Sequence, residues 1–385
     1  MDDAATSPAA PVRRRLAVLA VLGAVALASL WPLAWAHRNG GVDALLGAGA
    51  DSTARPLIDR EVPGAVRFAS LGHDGQQFYV VARHPFDPAA AAPLLDSPTY
   101  RVRRIGFPAL AGALAPNGGT RLVWAMLAVS LAGVALGAWA VSRFPDAPPW
   151  LPLVVGVTPG VGVALALSLG DALATGLALA AVAGALRRRW GWMTLALVAG
   201  ALTRETLLLV ALGLVCSAAM PWRWRAAALG LPTLAIGSWV LWSTQQVGAS
   251  SMQGAAQFSL PLLGWARSTS RPPGLALGLG LLVLLAIGAV HTWRSDRGVS
   301  VVLALHAALM ACLAKDVTVS WLNTTRVAAP VTAVAVWVVV ARGAPVREGA
   351  TVGSPAMHPT EADDLVAPDP APASASSAPQ LTGAR

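Results

Sequence analysis

The chain has 385 residues, of which 55% are hydrophobic and only 12% charged, and its mean hydropathy is +0.59. A water-soluble domain carries roughly twice that charged fraction, so a soluble globular class is excluded and an integral membrane protein is expected. The net charge of +9 is spread as single arginines and short runs between apolar segments. That pattern fixes topology and does not track a phosphate backbone, so no nucleic-acid partner is expected.

Residues 1–15 are polar, end in Arg13-Arg14-Arg15 and are expected to stay in the cytoplasm. The apolar run to Ala36 closes on Ala34-Trp35-Ala36, which resembles a signal-peptidase site. It is longer than a signal h-region and further spans follow, so an uncleaved first transmembrane helix is predicted. Residues 37–120 then form a long external loop, in which Ile105–Leu114 is too short to span and is expected to lie along the membrane surface. Spans are predicted near 121–142 and 150–169, and a third opens at Asp171 and ends at Arg187-Arg188-Arg189.

Trp190–Leu202 and Thr206–Met220 are apolar and flanked on both sides by arginines, which places both flanks inside. The segment must go out and back. A first arm of about a dozen residues reaches only about 18 Å, so the turn at Thr203-Arg204-Glu205 is predicted to stop short of the outer surface, inside the protein. Further spans are predicted near 226–244, 274–291, 299–314 and 327–341. Residues 16–342 therefore read as an all-α polytopic membrane domain of about ten transmembrane helices with both termini cytoplasmic. Residues 343–385, rich in Pro, Ala and Ser, read as a disordered cytoplasmic tail. No internal repeat is visible, which leans away from a transporter built of two inverted halves. Cys216 and Cys312 fall in separate apolar segments and read as small core residues, not as a disulfide or metal site.

Against this apolar background the polar residues sent outward by the topology form a set: Asp74, Gln76, Gln77, Tyr79, Arg103, Arg104, Asp171, Arg204, Glu205, Asp316, Asn323 and Arg326. Interfaces attract charge in any polytopic protein, which alone accounts for Asp171, Asp316 and Arg326. Asp74-Gly75 alone is an ordinary turn dipeptide. Arg204 and Glu205 at the turn of a short hairpin either pair with each other or face a cavity. One carboxylate among several arginines suits a hydroxyl attacking a carbon whose leaving group is a phosphate. Arginine forks hold the phosphate oxygens while the carboxylate takes the hydroxyl proton. At a membrane, that substrate class is a lipid-linked phosphosugar. His73 and His84 flank Asp74, but their spacing matches no ligand motif, so neither a metal nor a cofactor is expected.

The motif Gly72-His73-Asp74-Gly75-Gln76-Gln77-Phe78-Tyr79, followed by Tyr100-Arg101-Val102-Arg103-Arg104-Ile105-Gly106-Phe107-Pro108, resembles the G-Y-D-G-Q-F-Y … Y-R-Y-R-R-I-L-Y-P pattern of a bacterial membrane-protein family. That family is similar to the GT-C glycosyltransferases and is associated with cell-surface glycopolymer formation. The resemblance continues through Asp171-Ala172-Leu173-Ala174, the arginines 187–189 and Leu202-Thr203-Arg204-Glu205-Thr206. It ends at Asn323-Thr324-Thr325-Arg326-Val327-Ala328-Ala329-Pro330, an R-x-x-x-P opening of a late helix. His73 departs from the usual aromatic, and Asp171 lacks the Thr-Glu-Pro that often follows the equivalent acid.

The resemblance implies that Asp74 is the general base of the first external loop. It also implies a polyprenyl-phosphate-sugar donor, a glycan or lipid acceptor and an inverting displacement. Arg103, Arg104, Arg204 and Arg326 are the expected phosphate-binding residues. Gln76, Gln77, Tyr79, Asp171 and Glu205 are expected to bind substrate or support the site. The expected location is the inner membrane of a bacterium, in contact with membrane lipids, with the site facing outward. Two other classes stay open: a transporter or flippase of a lipid-linked saccharide, and a non-catalytic membrane partner of a polysaccharide assembly.

Overall fold

The computed structural model describes residues 9–248, 257–269 and 271–342; the expected tail at 343–385 lies outside them. The first helix, α1 (Ala9–Arg38), carries the N-terminal apolar run. A lobe of short elements follows, containing α2 (Gly75–Arg83), α3 (Pro98–Val102) and α4 (Gly106–Leu114). The chain then builds α5 (Thr120–Val141), α6 (Pro159–Ala166), α7 (Asp171–Leu186), α8 (Trp190–Thr203) and α9 (Leu207–Leu214). It finishes with α10 (Trp222–Val247), α11 (Pro272–Thr292), α12 (Arg297–Ala311) and α13 (Trp321–Arg342). Among the described residues there is no strand, only isolated bridges.

Five of these helices, α1, α5, α10, α11 and α13, are long and apolar enough to cross a membrane, and α7, α8 and α12 are apolar but shorter. The protein is an all-α membrane protein. The expected count of about ten crossings is not met by helices of spanning length, and the reason is local. The apolar run 150–169 does not form one helix, because Thr158 is extended ahead of Pro159 and the run splits into two short pieces. The second hairpin arm stops at Leu214, after eight residues. The run 170–186 gives only 16 helical residues because the helix starts at a buried Asp171 and not at a surface. An apolar run measures how long the chain avoids water, not how long it stays helical.

Burial separates a centre from a periphery. The apolar windows of α5 and α13 are 61% and 72% buried inside the protein, those of α1, α10 and α11 only 22%, 22% and 28%. The central pair packs on α7 through small residues: a Cβ on Gly176 would collide with the Gly133 carbonyl, so α5 and α7 touch backbone to backbone. In the same way α6 reaches α13, where a Cβ on Gly160 would collide with the Thr325 carbonyl. Without a hydrophobic force between helices in lipid, such close contact supplies the van der Waals attraction that holds them.

The lobe has its own apolar core, which includes Leu45, Leu46, Leu57, Ile58, Phe78 and Val80, all nearly or fully buried. The helix α4 packs Phe107 and Ala111 inward and leaves Leu110 and Leu114 exposed, so it lies on the body with one apolar face outward. Two glycines of the Gly72–Gly75 motif are required by close approach. Gly72 sits at φ +70°, with its α-carbon against the backbone of Gly47 and Gly49. Gly75 lies against the carbonyls of Leu167 and Leu46, so it clamps the lobe to the turn that precedes Asp171. Asp74 sits between the two.

Candidate functional site

Asp74 immediately precedes α2 and is partly exposed, its side chain at 30%. Two arginines from separate elements hold its carboxylate: Arg101 Nη1 at 2.9 Å and Arg326 Nη2 at 3.5 Å. Arg101 belongs to α3 and is itself fixed by a fork onto Asp96, with both bonds at 2.8 Å. α3 in turn is tied to α10, where the Trp239 indole donates to the Val102 carbonyl at 2.9 Å. Burial would raise the Asp74 pKa, but the charges of Arg101, Arg326 and Arg104 together outweigh it and hold the carboxyl at about 2. Burial would lower the Arg101 pKa, but its hydrogen bonds to Asp96 and the nearby charges of Asp74 and Asp96 outweigh it and push the guanidinium up.

Arg326 lies one turn into α13 and is 9% exposed. Pro330, four residues on, cannot donate to the Arg326 carbonyl, so the helix is weakened where the guanidinium leaves it. The side chain bridges two acids. Besides Asp74 it contacts Asp171 Oδ2, from Nε at 3.0 Å and Nη2 at 2.9 Å. Asp171, 4% exposed, stands in the first turn of α7, where the helix dipole favours an anion, and it is also paired with Arg204. A carboxylate this deep needs both partners.

The hairpin turn closes the site. The side chain of Arg204 is 11% exposed and that of Glu205 30%, and they do not pair with each other. Arg204 meets Asp171, while Glu205 accepts from Arg104 Nε at 3.0 Å and Arg104 Nη2 at 2.8 Å and stands 3.6 Å from Arg103. In the middle is Tyr100. The guanidinium carbons of Arg101, Arg103 and Arg104 lie 5.3, 4.3 and 4.6 Å from its ring centre. Its hydroxyl oxygen accepts from Arg104 Nη2 at 2.7 Å and from the Gln257 amide at 3.3 Å. Burial would raise the phenol pKa, but Arg104 and the Gln257 hydrogen bond bring it below its ordinary value.

These groups surround one cavity of about 710 Å³, lined by Asp74, Tyr100, Glu205 and the five arginines 101, 103, 104, 204 and 326. Its volume is in the range of small-molecule sites. The lining carries an excess of positive charge, and Arg103 Nε is buried without a hydrogen-bond partner. Such a wall attracts an anion with oxygens to share, such as a phosphate. The acids are each occupied by arginines, and among the described residues no group of three or more His, Cys, Asp or Glu is arranged to hold a metal.

No family model, curated protein or solved structure matches the chain. What the cavity can do must be read from its own residues.

Of the residues singled out in the sequence, Asp74, Arg103, Arg104, Arg204, Glu205, Asn323 and Arg326 line the cavity, and Asp171 lies behind Arg204 and Arg326. Gln76, Gln77 and Tyr79 do not line it and support it from behind. Gln76 accepts from the Gly49 amide at 3.0 Å and donates to Leu71, Gln77 accepts from the Asp96 amide at 3.2 Å, and Tyr79 donates to Glu61 at 2.7 Å and accepts from Gly119 at 2.7 Å. Asp316 is exposed and does not reach the cavity lining. His73 packs edge-on to Phe68 and Trp35, with ring centres 5.8 and 6.4 Å away. Tyr100, Arg101 and Gln257 were missing from the expected set. Spacing could have found two of them: Tyr100 and Arg101 stand four and three residues before Arg104, so each would neighbour Arg104 if the strip is helical. Nothing in the sequence around Gln257 marks it.

Proposed function

We propose that the protein is a GT-C-like membrane glycosyltransferase. It would move a sugar from a polyprenyl-phosphate donor to a hydroxyl acceptor in cell-surface glycopolymer assembly, with inversion. The observation that carries this reading is the convergence of Asp74 with five arginines on one cavity, from four separate parts of the chain. A site that attracts anions, next to a carboxylate held ionised, suits displacement of a phosphate by a hydroxyl.

In this mechanism the donor phosphate is held by Arg103, Arg104, Arg204 and Arg326, and the acceptor hydroxyl donates to Asp74. A carboxyl held at about 2 is a weak base. When a phosphate draws on Arg326 and its neighbours, their pull on Asp74 weakens and its basicity rises, so that donor binding prepares the base. The acceptor oxygen bonds to the anomeric carbon as the carbon–phosphate-oxygen bond breaks, and Asp74 takes the proton. Asp171 acts as counter-ion to Arg204 and Arg326. The proposed setting is a bacterial inner membrane, with both termini cytoplasmic and the cavity facing outward.

The test is sugar transfer by purified protein in lipid, from a polyprenyl-phosphate-linked sugar. Asp74→Asn should lower the rate by about 10²–10⁴-fold while the protein stays folded. Full activity in a folded Asp74→Asn protein would overturn the base assignment.

A further inference from the structure

The phenol of Tyr100 has hydrogen-bonding capacity that the protein does not use. A tyrosine hydroxyl has two acceptor positions and one proton to give. Arg104, which can only donate, takes one acceptor position, and the Gln257 amide takes the other. Among the described residues no acceptor receives the proton, although the ring lines the cavity. The acids that could have taken it are engaged elsewhere: Glu205 by the Arg104 fork, Asp74 by Arg101 and Arg326. The ring itself cannot turn away, because three guanidinium groups stand around it.

From this geometry we infer that Tyr100 is a ligand-binding residue whose hydroxyl donates a hydrogen bond to a phosphate oxygen of the bound molecule. The inference rests on the phosphate-site reading above and adds one neutral, directional donor to a wall of arginines. Guanidinium charges attract any anion from a distance, whereas a single O–H must meet an oxygen at hydrogen-bond length. Arg104 and Gln257, by donating to the same oxygen, polarise the O–H and strengthen it as a donor. The ligand chemistry is a phosphate group, carried either on an isoprenoid lipid or on an anion free in solution.

The chain offers an internal control, because it contains only two tyrosines, Tyr79 and Tyr100. The Tyr79 hydroxyl is spent on Glu61 and Gly119 inside the lobe. The full-length protein, labelled with 3-fluorotyrosine and held in lipid nanodiscs, should therefore give two fluorine resonances, assigned by losing one in Tyr100→Phe or in Tyr79→Phe. Farnesyl phosphate and inorganic pyrophosphate are the probes, with binding followed independently by phosphorus resonance.

The expected result is a saturable shift of the Tyr100 resonance that tracks probe binding, with Tyr79 unmoved, and an approximately tenfold weaker affinity in Tyr100→Phe. A response to farnesyl phosphate alone assigns the donor to a lipid-borne phosphate; a response to both probes assigns it to the anion itself. Either supports the inference. A silent Tyr100 resonance while the probe binds overturns the role of Tyr100 and leaves the phosphate site standing. Failure of the wild-type protein to bind either probe overturns the phosphate site and the role of Tyr100 together.

Discussion

The two polar stretches of the lobe make opposite use of their side chains. In Gly72–Tyr79 the amides and the tyrosine are turned inward and spent: Gln76, Gln77 and Tyr79 all bond to protein groups, and only Asp74 faces the cavity. In Tyr100–Arg104 every polar side chain lines the cavity, with Arg103 Nε unpartnered and the Tyr100 proton unassigned. A cluster of polar residues in an apolar chain therefore has two causes here. One stretch builds the wall and the other presents it. The difference follows from backbone demands: the first stretch has glycines against backbone at both ends of a tight clamp, while the second is the end of a short helix and the turn after it, held from outside by Trp239.

Substitutions in the two stretches should have different consequences. The largest effect on stability should come from Gly75→Ala, because its Cβ would meet the carbonyls of Leu167 and Leu46, which cannot yield as a flexible side chain does. A loss of about 3 kcal/mol in denaturant unfolding is expected. Tyr79→Phe should cost about 2 kcal/mol, since it removes a bond to the Glu61 carboxylate and strands the Gly119 amide. A smaller effect is confined to acid. Folding lowers the Asp74 pKa from 3.8 to about 2, so the unfolded chain takes up the proton first. The carboxylate then stabilises the fold fully above about pH 4 and loses that contribution as the pH falls through about 2. The Tm difference between wild type and Asp74→Asn should narrow over that window. A constant difference would show that Asp74 is not held by the arginines.

Part of this was legible in the sequence. The short apolar arms of the 190–220 segment were enough to mark Arg204 and Glu205 as the turn between two short helices, because helix length and the siting of charge are local rules. The start of α7 at Asp171 was legible too. The partners of those residues were not, since Glu205 meets Arg104 and Arg204 meets Asp171 across large sequence separations. Nor was the breakup of residues 150–169: hydropathy sees an unbroken apolar run, while the backbone obeys Thr158-Pro159. The pattern shared by Gln76, Gln77 and Tyr79 with the site residues hid the fact that they support the site from behind.

In this reading the arginine wall binds phosphate and the glutamine–tyrosine stretch only supports it. This is tested most directly by the affinity of farnesyl phosphate, measured by phosphorus resonance, in Arg326→Gln beside Tyr79→Phe. Asp171 keeps Arg204 as a partner in the first variant, and Glu61 keeps Arg83 in the second. Arg326→Gln should lose about tenfold or more, and folded Tyr79→Phe should keep wild-type affinity. Equal losses in both, or wild-type affinity in Arg326→Gln, would contradict this reading.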